Sequence, residues 1–91
     1  MLLEWSVLAV ADRDAIFDYI EADSPSAAAM VDDRIRLAVE NLAEFPEMGR
    51  TGRVRGTREL VIPRTPYIAV YRFDRGALRI LRILHGSQRW P

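Results

Sequence analysis

Hydrophobic positions along this 91-residue chain change their spacing once. In the first half, apolar residues recur at every third or fourth position, as on one face of an α-helix. In the second half, they alternate or run continuously over short segments, which is typical of β-strands. The pattern predicts a pair of helices followed by a sheet, and therefore an α+β fold with the helices on one sheet face.

Two capping signals indicate where the helices begin. Ser6 can accept a hydrogen bond from the first turn of a helix that we expect to end near Ala22. Ser24 followed by Pro25 is a preferred start for a second helix, because proline fits the first helical position. An apolar stripe continues from there for about six turns, to Phe45. We expect two antiparallel helices joined by a short connection.

Four apolar segments predict strands, at residues 2–5, 58–62, 67–73 and 78–85. Residues 74–76, Asp-Arg-Gly, predict a tight hairpin turn between the last two strands. We expect the order βααβββ, with the helices packed on an antiparallel sheet.

The last predicted strand is apolar on both faces. Alternation puts Leu78, Ile80 and Leu84 on one face, and Leu81, Ile83 and His85 on the other. A strand that is apolar on both sides is expected to lie inside the sheet and to be covered.

The length fits one domain that covers residues 1–91. No cysteine is present, so a disulfide and a thiolate nucleophile are excluded. No apolar run is long enough for a transmembrane helix, and no signal-peptide pattern opens the chain. We expect a cytoplasmic protein that does not associate with a membrane.

The formal net charge of zero hides an asymmetry between the two halves. Residues 1–45 hold ten acidic residues and three arginines, whereas residues 46–91 hold three acidic residues and ten arginines. Either the second half presents a surface for an anionic partner, or the halves neutralise each other across the fold. Every basic residue is arginine, whose planar guanidinium binds phosphate or carboxylate in a bidentate manner.

The C-terminal residues include the side chains that are best suited to catalysis or binding. The only histidine, His85, ends the last strand, and Gln88, Arg89 and Trp90 follow it. A single histidine among dispersed carboxylates predicts no metal site, and no cofactor-binding motif is present.

Several segments, taken in order, resemble the RelE/ParE toxins of bacterial type II toxin–antitoxin systems, and in particular members known as plasmid stabilisation proteins. The resemblance extends over nearly the whole chain. The segments are Trp5-Ser6, residues 16–20 (IFDYI), residues 45–50 (FPEMGR), residues 58–60 (REL), residues 67–72 (YIAVYR), residues 80–85 (ILRILH) and the ending HGSQRWP.

This resemblance implies one of two toxic actions. RelE-like members cut mRNA on the ribosome without a metal, and here His85 would be the acid or base while Arg58 and Arg89 would hold phosphate. The sequence departs from that pattern, because the loop at residues 50–55 has arginine in place of lysine and because Ile68 stands where an arginine is expected.

ParE-like members bind DNA gyrase and need a docking surface rather than a catalytic set. This reading is preferred, with mRNA cleavage as the alternative and a non-toxic antitoxin partner and co-repressor as a third hypothesis. The residues predicted to bind a target or nucleic acid are Arg50, Arg53, Arg55, Arg64, Gln88 and Trp90.

The resemblance also implies a cognate antitoxin protein, through which alone the complex would contact operator DNA. The first helix carries more apolar residues than one sheet face is expected to cover, so it is the predicted docking surface. The residues predicted to bind the antitoxin are Leu8, Ile16, Phe17 and Ile20.

Overall fold

The computed structural model describes all 91 residues and confirms the α+β arrangement, with two helices on one face of a five-stranded sheet. The elements are β1 (Leu2–Trp5), α1 (Val7–Glu21), α2 (Pro25–Glu44), β2 (Arg50–Thr51), β3 (Arg58–Val61), β4 (Tyr67–Asp74) and β5 (Ala77–His85).

Both predicted capping residues are confirmed. The Ser6 hydroxyl accepts a hydrogen bond from the backbone N–H of Ala9 at 3.0 Å, and the Ser24 hydroxyl accepts one from that of Ala27 at 3.2 Å. Pro25 occupies the first turn of α2, where its missing N–H has no partner to lose.

The sheet is mixed, whereas the sequence predicted an antiparallel one. Its strand order is β1-β5-β4-β3-β2, and β1 runs parallel to β5 while the other pairs are antiparallel. The chain crosses the sheet through α1 and α2 before the meander begins, so β5 reaches the β1 edge in the same direction as β1. The strand β2 was not predicted, because two residues show no alternation.

The main core lies between the helices and one sheet face. It contains Ile35 and Leu42 from α2 together with Tyr71, Leu78 and Ile80 from the sheet, all of them fully buried. The opposite sheet face, hereafter the outer face, has a smaller apolar cluster of Ile68, Val70 and Leu84, against which Trp90 packs.

A β-bulge in β5 changes which residues face the helices. Tyr71 pairs with Ile80, but the preceding Val70 pairs with Arg82, so Leu81 has no partner on β4. Alternation is therefore shifted by one residue. Ile83 joins the core under the helices and Leu84 lies on the outer face, so the predicted face assignment beyond the bulge was wrong.

Beyond the end of β1, the edge of β5 has no neighbouring strand, and Asp12 of α1 contacts it instead. Its carboxylate accepts a hydrogen bond from the backbone N–H of Ile83 at 3.0 Å. It also accepts two from the Arg82 guanidinium, at 2.8 and 2.9 Å. This pairing holds the pKa of Arg82 above its usual value. The side chain of Asp12 thus replaces the backbone acceptor that a neighbouring strand would supply.

Tyr71 fastens the segment after α2 to the sheet. Its hydroxyl donates a hydrogen bond to the carbonyl oxygen of Pro46 at 2.7 Å and accepts one from the backbone N–H of Gly49 at 2.8 Å. Burial raises the pKa of Tyr71. A side chain at position 49 would place its Cβ 2.5 Å from this hydroxyl, so the contact requires glycine.

Neither α1 nor α2 has the length and apolar character of a transmembrane helix.

Candidate functional site: arginine loop, C-terminal tail and the outer surface of α1

The arginine loop, residues 50–57, is held by a buried carboxylate. The Glu59 side chain is only 2% exposed, and its Oε2 accepts a hydrogen bond from the backbone N–H of Arg53 at 3.0 Å. Its Oε1 lies 3.4 Å from the Arg50 guanidinium and 3.6 Å from that of Arg53. Two of the predicted target-binding arginines are therefore paired within their own half of the chain.

Arg53 also joins the loop to the C-terminal tail, residues 86–91. Its guanidinium donates a hydrogen bond to the carbonyl oxygen of Gln88 at 3.2 Å. The Gln88 side-chain oxygen accepts one from the backbone N–H of His85 at 2.7 Å. Glu59 thus joins Arg50 to Arg53, and Arg53 in turn contacts Gln88, which contacts His85.

His85 is exposed at the end of β5. Its Nδ1 accepts a hydrogen bond from the backbone N–H of Ser87 at 3.2 Å, which assigns the neutral ring the tautomer protonated at Nε2. The Ser87 hydroxyl also contacts Nδ1, at 2.7 Å. The imidazole stands edge-on to Tyr67, with ring centroids 5.8 Å apart. Only Nε2 is free to act on another molecule.

Arg58 does not share a site with His85. Its guanidinium donates to the carbonyl oxygen of Gly49 at 2.9 Å and lies 5.7 Å from the Phe73 ring centre. Arg58 pairs in register with Tyr71, and His85 with Tyr67. Four residues of strand separate those positions by about 13 Å. The structure therefore does not bring Arg58 and His85 into one site.

The remaining predicted cations have no carboxylate partner. Arg55, Arg64 and Arg89 are exposed and form no ion pair within 4.0 Å. Arg64 has a positive φ of 60° in the turn before β4. Trp90 is half-buried, because one part of its ring packs on the outer face and the rest stays accessible.

The outer surface of α1 is partly the one predicted. Leu8 is 58% exposed, and Phe17 is half-buried. Ile16 and Ile20 instead pack against the main core, so they offer little area to a partner. Val7 and Val10, which belong to the same apolar surplus of the first helix, are exposed as well, and so is Tyr19. Val10 and Tyr19 lie on opposite sides of α1, because nine residues correspond to about two and a half turns.

A groove of about 720 Å³ runs beside α1. The apolar residues that line it are Trp5, Val10 and Phe17. Arg13, in the same groove, forms an ion pair with Asp32 at 2.6 Å and lies 5.1 Å from the Trp5 ring centre. Hydrogen bonding to Asp32 raises the pKa of Arg13. The other charged residues of the lining, Asp14 and Asp18, give the groove an acidic rim.

The candidate site has three kinds of exposed feature. They are the half-buried Trp90, several arginines without an ion pair, and an apolar helix surface with acidic residues beside it. No group of three or more histidine, cysteine or carboxylate side chains is arranged to hold a metal ion.

The arrangement of two helices on one face of a small mixed sheet is shared with a chain from a type II toxin–antitoxin system of known structure. The sequence model described as "ParE toxin of type II toxin-antitoxin system, parDE" matches residues 3–90. The chain therefore belongs to the ParE toxin family.

Two relatives and one solved structure agree with that assignment. The protein Y4kP of Sinorhizobium fredii, whose name assigns it as a toxin, is 47% identical over 98% of this chain and 92% of its own length. Toxin RelE2 of Caulobacter vibrioides is 38% identical over 92% of this chain and 93% of its own. A chain from the structure of the chromosomal ParDE system of P. aeruginosa has a TM-score of 0.85 and 34% identity, covering 93% of this chain and 95% of the other.

The protein is thus the toxin of a ParDE/RelE-like type II toxin–antitoxin system, and a toxin of this type implies a cognate antitoxin as its partner.

Proposed function

We propose that the toxin inhibits DNA gyrase by binding it, in the manner that its ParE family membership implies. The observation that carries this proposal is the separation of the predicted catalytic groups. Arg58 of β3 and His85 of β5 flank β4 from opposite sides and pair with residues four positions apart on it, Tyr71 and Tyr67. The Arg58 guanidinium is held by the carbonyl oxygen of Gly49. Such an arrangement fits a protein that docks on a large target, and gyrase and its DNA would place this action in the cytoplasm.

A supercoiling assay with purified gyrase and relaxed plasmid tests this proposal. We expect the toxin to block supercoiling, and we expect His85→Ala to block it at the same concentration, since no step needs an imidazole. In cells, expression without the antitoxin should stop growth and induce DNA-damage signalling.

Two results would contradict the proposal in different ways. Cleaved mRNA with unimpaired supercoiling, together with loss of toxicity in His85→Ala, would select the RelE-like endonuclease. Normal growth with intact supercoiling and intact mRNA would select the non-toxic partner and co-repressor.

The antitoxin is proposed to bind on the outer surface of α1, in the groove beside Val10 and Phe17. Val10 is 46% exposed and Val7 is 84% exposed, so the helix presents apolar area that the fold leaves uncovered. The acidic rim of the groove, Asp14 and Asp18, would select a segment with basic side chains beside its apolar anchors.

Val10→Gln is expected to weaken antitoxin binding by about tenfold, because an amide replaces an apolar contact at the centre of the interface. Glutamine is a good helix former, so α1 is expected to remain folded. The matched control is Tyr19→Gln, which alters an exposed residue on a different face of the same helix. Titration calorimetry with the purified antitoxin measures both variants. Equal weakening by the two variants, or none, would exclude this groove as the docking site.

A further inference from the structure

Two arginines on the outer face of the sheet have no carboxylate partner. Arg72 of β4 and Arg79 of β5 are direct cross-strand neighbours, and both are exposed. Neither forms an ion pair within 4.0 Å. Side chains in this relation have Cβ atoms about 4.5–5.5 Å apart, so two like charges destabilise the pair. Because the exposed pair lowers stability and has no evident role in packing, we looked for a ligand that would bind to both arginines.

The pair lies at a cleft that combines charge with apolar walls. The cleft has a volume of about 360 Å³ and is lined by both arginines together with Leu81 and Trp90. Arg82 also borders it, but the Asp12 carboxylate already neutralises that guanidinium. Arg72 and Arg79 therefore supply the free positive charge of the cleft, and Trp90 supplies an accessible aromatic surface.

Two acidic residues stand near the pair without neutralising it. Glu4 of β1 is in register with Arg79, and Asp74 follows Arg72 by two residues, on the same face of β4. Both carboxylates are exposed, and neither lies within 4.0 Å of a guanidinium. They reduce the local positive potential but leave both guanidinium forks open to a ligand.

We propose that this cleft binds one nucleotide unit of a single-stranded nucleic acid, with the phosphate on Arg72 and Arg79 and the base stacked on Trp90. Paired guanidinium groups hold a phosphate through several charge-assisted hydrogen bonds, and the bound anion removes their mutual repulsion. A flat base stacks on tryptophan whatever its sequence. An acidic peptide would satisfy the arginines but would leave the aromatic surface without a planar partner. The site does not depend on gyrase being the target.

Trp90 fluorescence tests the proposal directly in the full chain. The Trp5→Phe variant leaves Trp90 as the only tryptophan, and phenylalanine keeps a ring beneath Arg13. An oligothymidylate of about eight nucleotides, within the site size of single-strand binders, is the probe. We expect it to quench Trp90 emission, with an affinity that falls as salt rises.

Neutralising either arginine gives the residue-level test. Arg72→Gln and Arg79→Gln, made in the Trp5→Phe protein, are each expected to weaken binding by about tenfold. Each should also lower the slope of log affinity against log salt by about 0.7. Both should raise the thermal unfolding midpoint, because the like-charge pair is removed. A raised unfolding midpoint would show that the variant is folded, so that its weaker binding is not caused by a loss of structure.

Two matched variants complete the design. Arg75→Asn removes one charge from the adjoining turn, where asparagine tolerates the positive φ of 47°, and it should change the affinity by less than about twofold. Glu4→Gln should strengthen binding, since it removes the carboxylate in register with Arg79.

Three outcomes would overturn the proposal. The first is Trp90 emission that oligothymidylate leaves unchanged at low salt. The second is equal weakening by Arg75→Asn and Arg72→Gln, which would indicate an unspecific charge effect. The third is stronger quenching by polyglutamate than by the oligonucleotide, which would assign the cleft to an acidic protein segment.

Discussion

Replacing Tyr71 with alanine is expected to lower the free energy of unfolding by about 3–5 kcal/mol. Tyr71 is among the largest fully buried side chains of the protein, and alanine would leave a cavity beneath the helices. The change would also remove the hydroxyl that joins Pro46 and Gly49 to the sheet. Since small domains have a total stability of about 5–15 kcal/mol, this one change takes away a large share of it.

Urea unfolding followed by far-ultraviolet circular dichroism measures the effect. Tyr71→Phe separates the two contributions, because it keeps the ring and leaves the Gly49 N–H and the Pro46 carbonyl oxygen without the hydroxyl. We expect it to cost about 1–3 kcal/mol. Tyr19→Ala is the matched control at a position that is 77% exposed, and it should change stability by less than about 0.5 kcal/mol. If Tyr71→Phe were as stable as the natural sequence, the two hydrogen bonds would contribute nothing to the fold.

Replacing Asp12 with alanine is the second change with a large expected effect, about 2–3 kcal/mol of destabilisation. The Asp12 side chain is 17% exposed and that of Arg82 is 28% exposed, so water replaces the lost contacts only in part. The variant would leave the Arg82 guanidinium without its carboxylate and the Ile83 N–H without its acceptor. These are the contacts that fix α1 against the edge of β5.

The same unfolding measurement applies, with Asp18→Ala as the control, since Asp18 is an exposed residue of the same helix that forms no ion pair within 4.0 Å. Adding Arg82→Met to Asp12→Ala should recover part of the loss, because the unpaired charge is then removed. Equal destabilisation by Asp12→Ala and Asp18→Ala would contradict the role given to this contact. Because Asp12 fixes α1, its loss should also weaken antitoxin binding, if the antitoxin docks at the site proposed on the outer surface of that helix.

Two residue pairs show how far sequence reasoning about the candidate sites could reach. Ile16 and Ile20 were selected for their apolar character, but the fold turns them toward the main core. Arg72 and Arg79 were not selected. The turn predicted at residues 74–76 would place Arg72 opposite Leu78, whereas the observed two-residue loop, Arg75-Gly76, places it opposite Arg79. Nothing in the sequence, however, showed that no carboxylate would reach them.

The sequence by itself determined the features that depend on neighbours along the chain. Ser6 and Ser24 start the helices, the period of apolar residues distinguishes helix from strand, and residues 74–76 mark the place of the turn between β4 and β5. Tertiary structure alone decided the parallel pairing of β1, the bulge at Leu81 and the burial of Glu59 beneath the arginine loop. These features arise from contacts between distant segments, whose cost and benefit are set only when the helices and the sheet pack together.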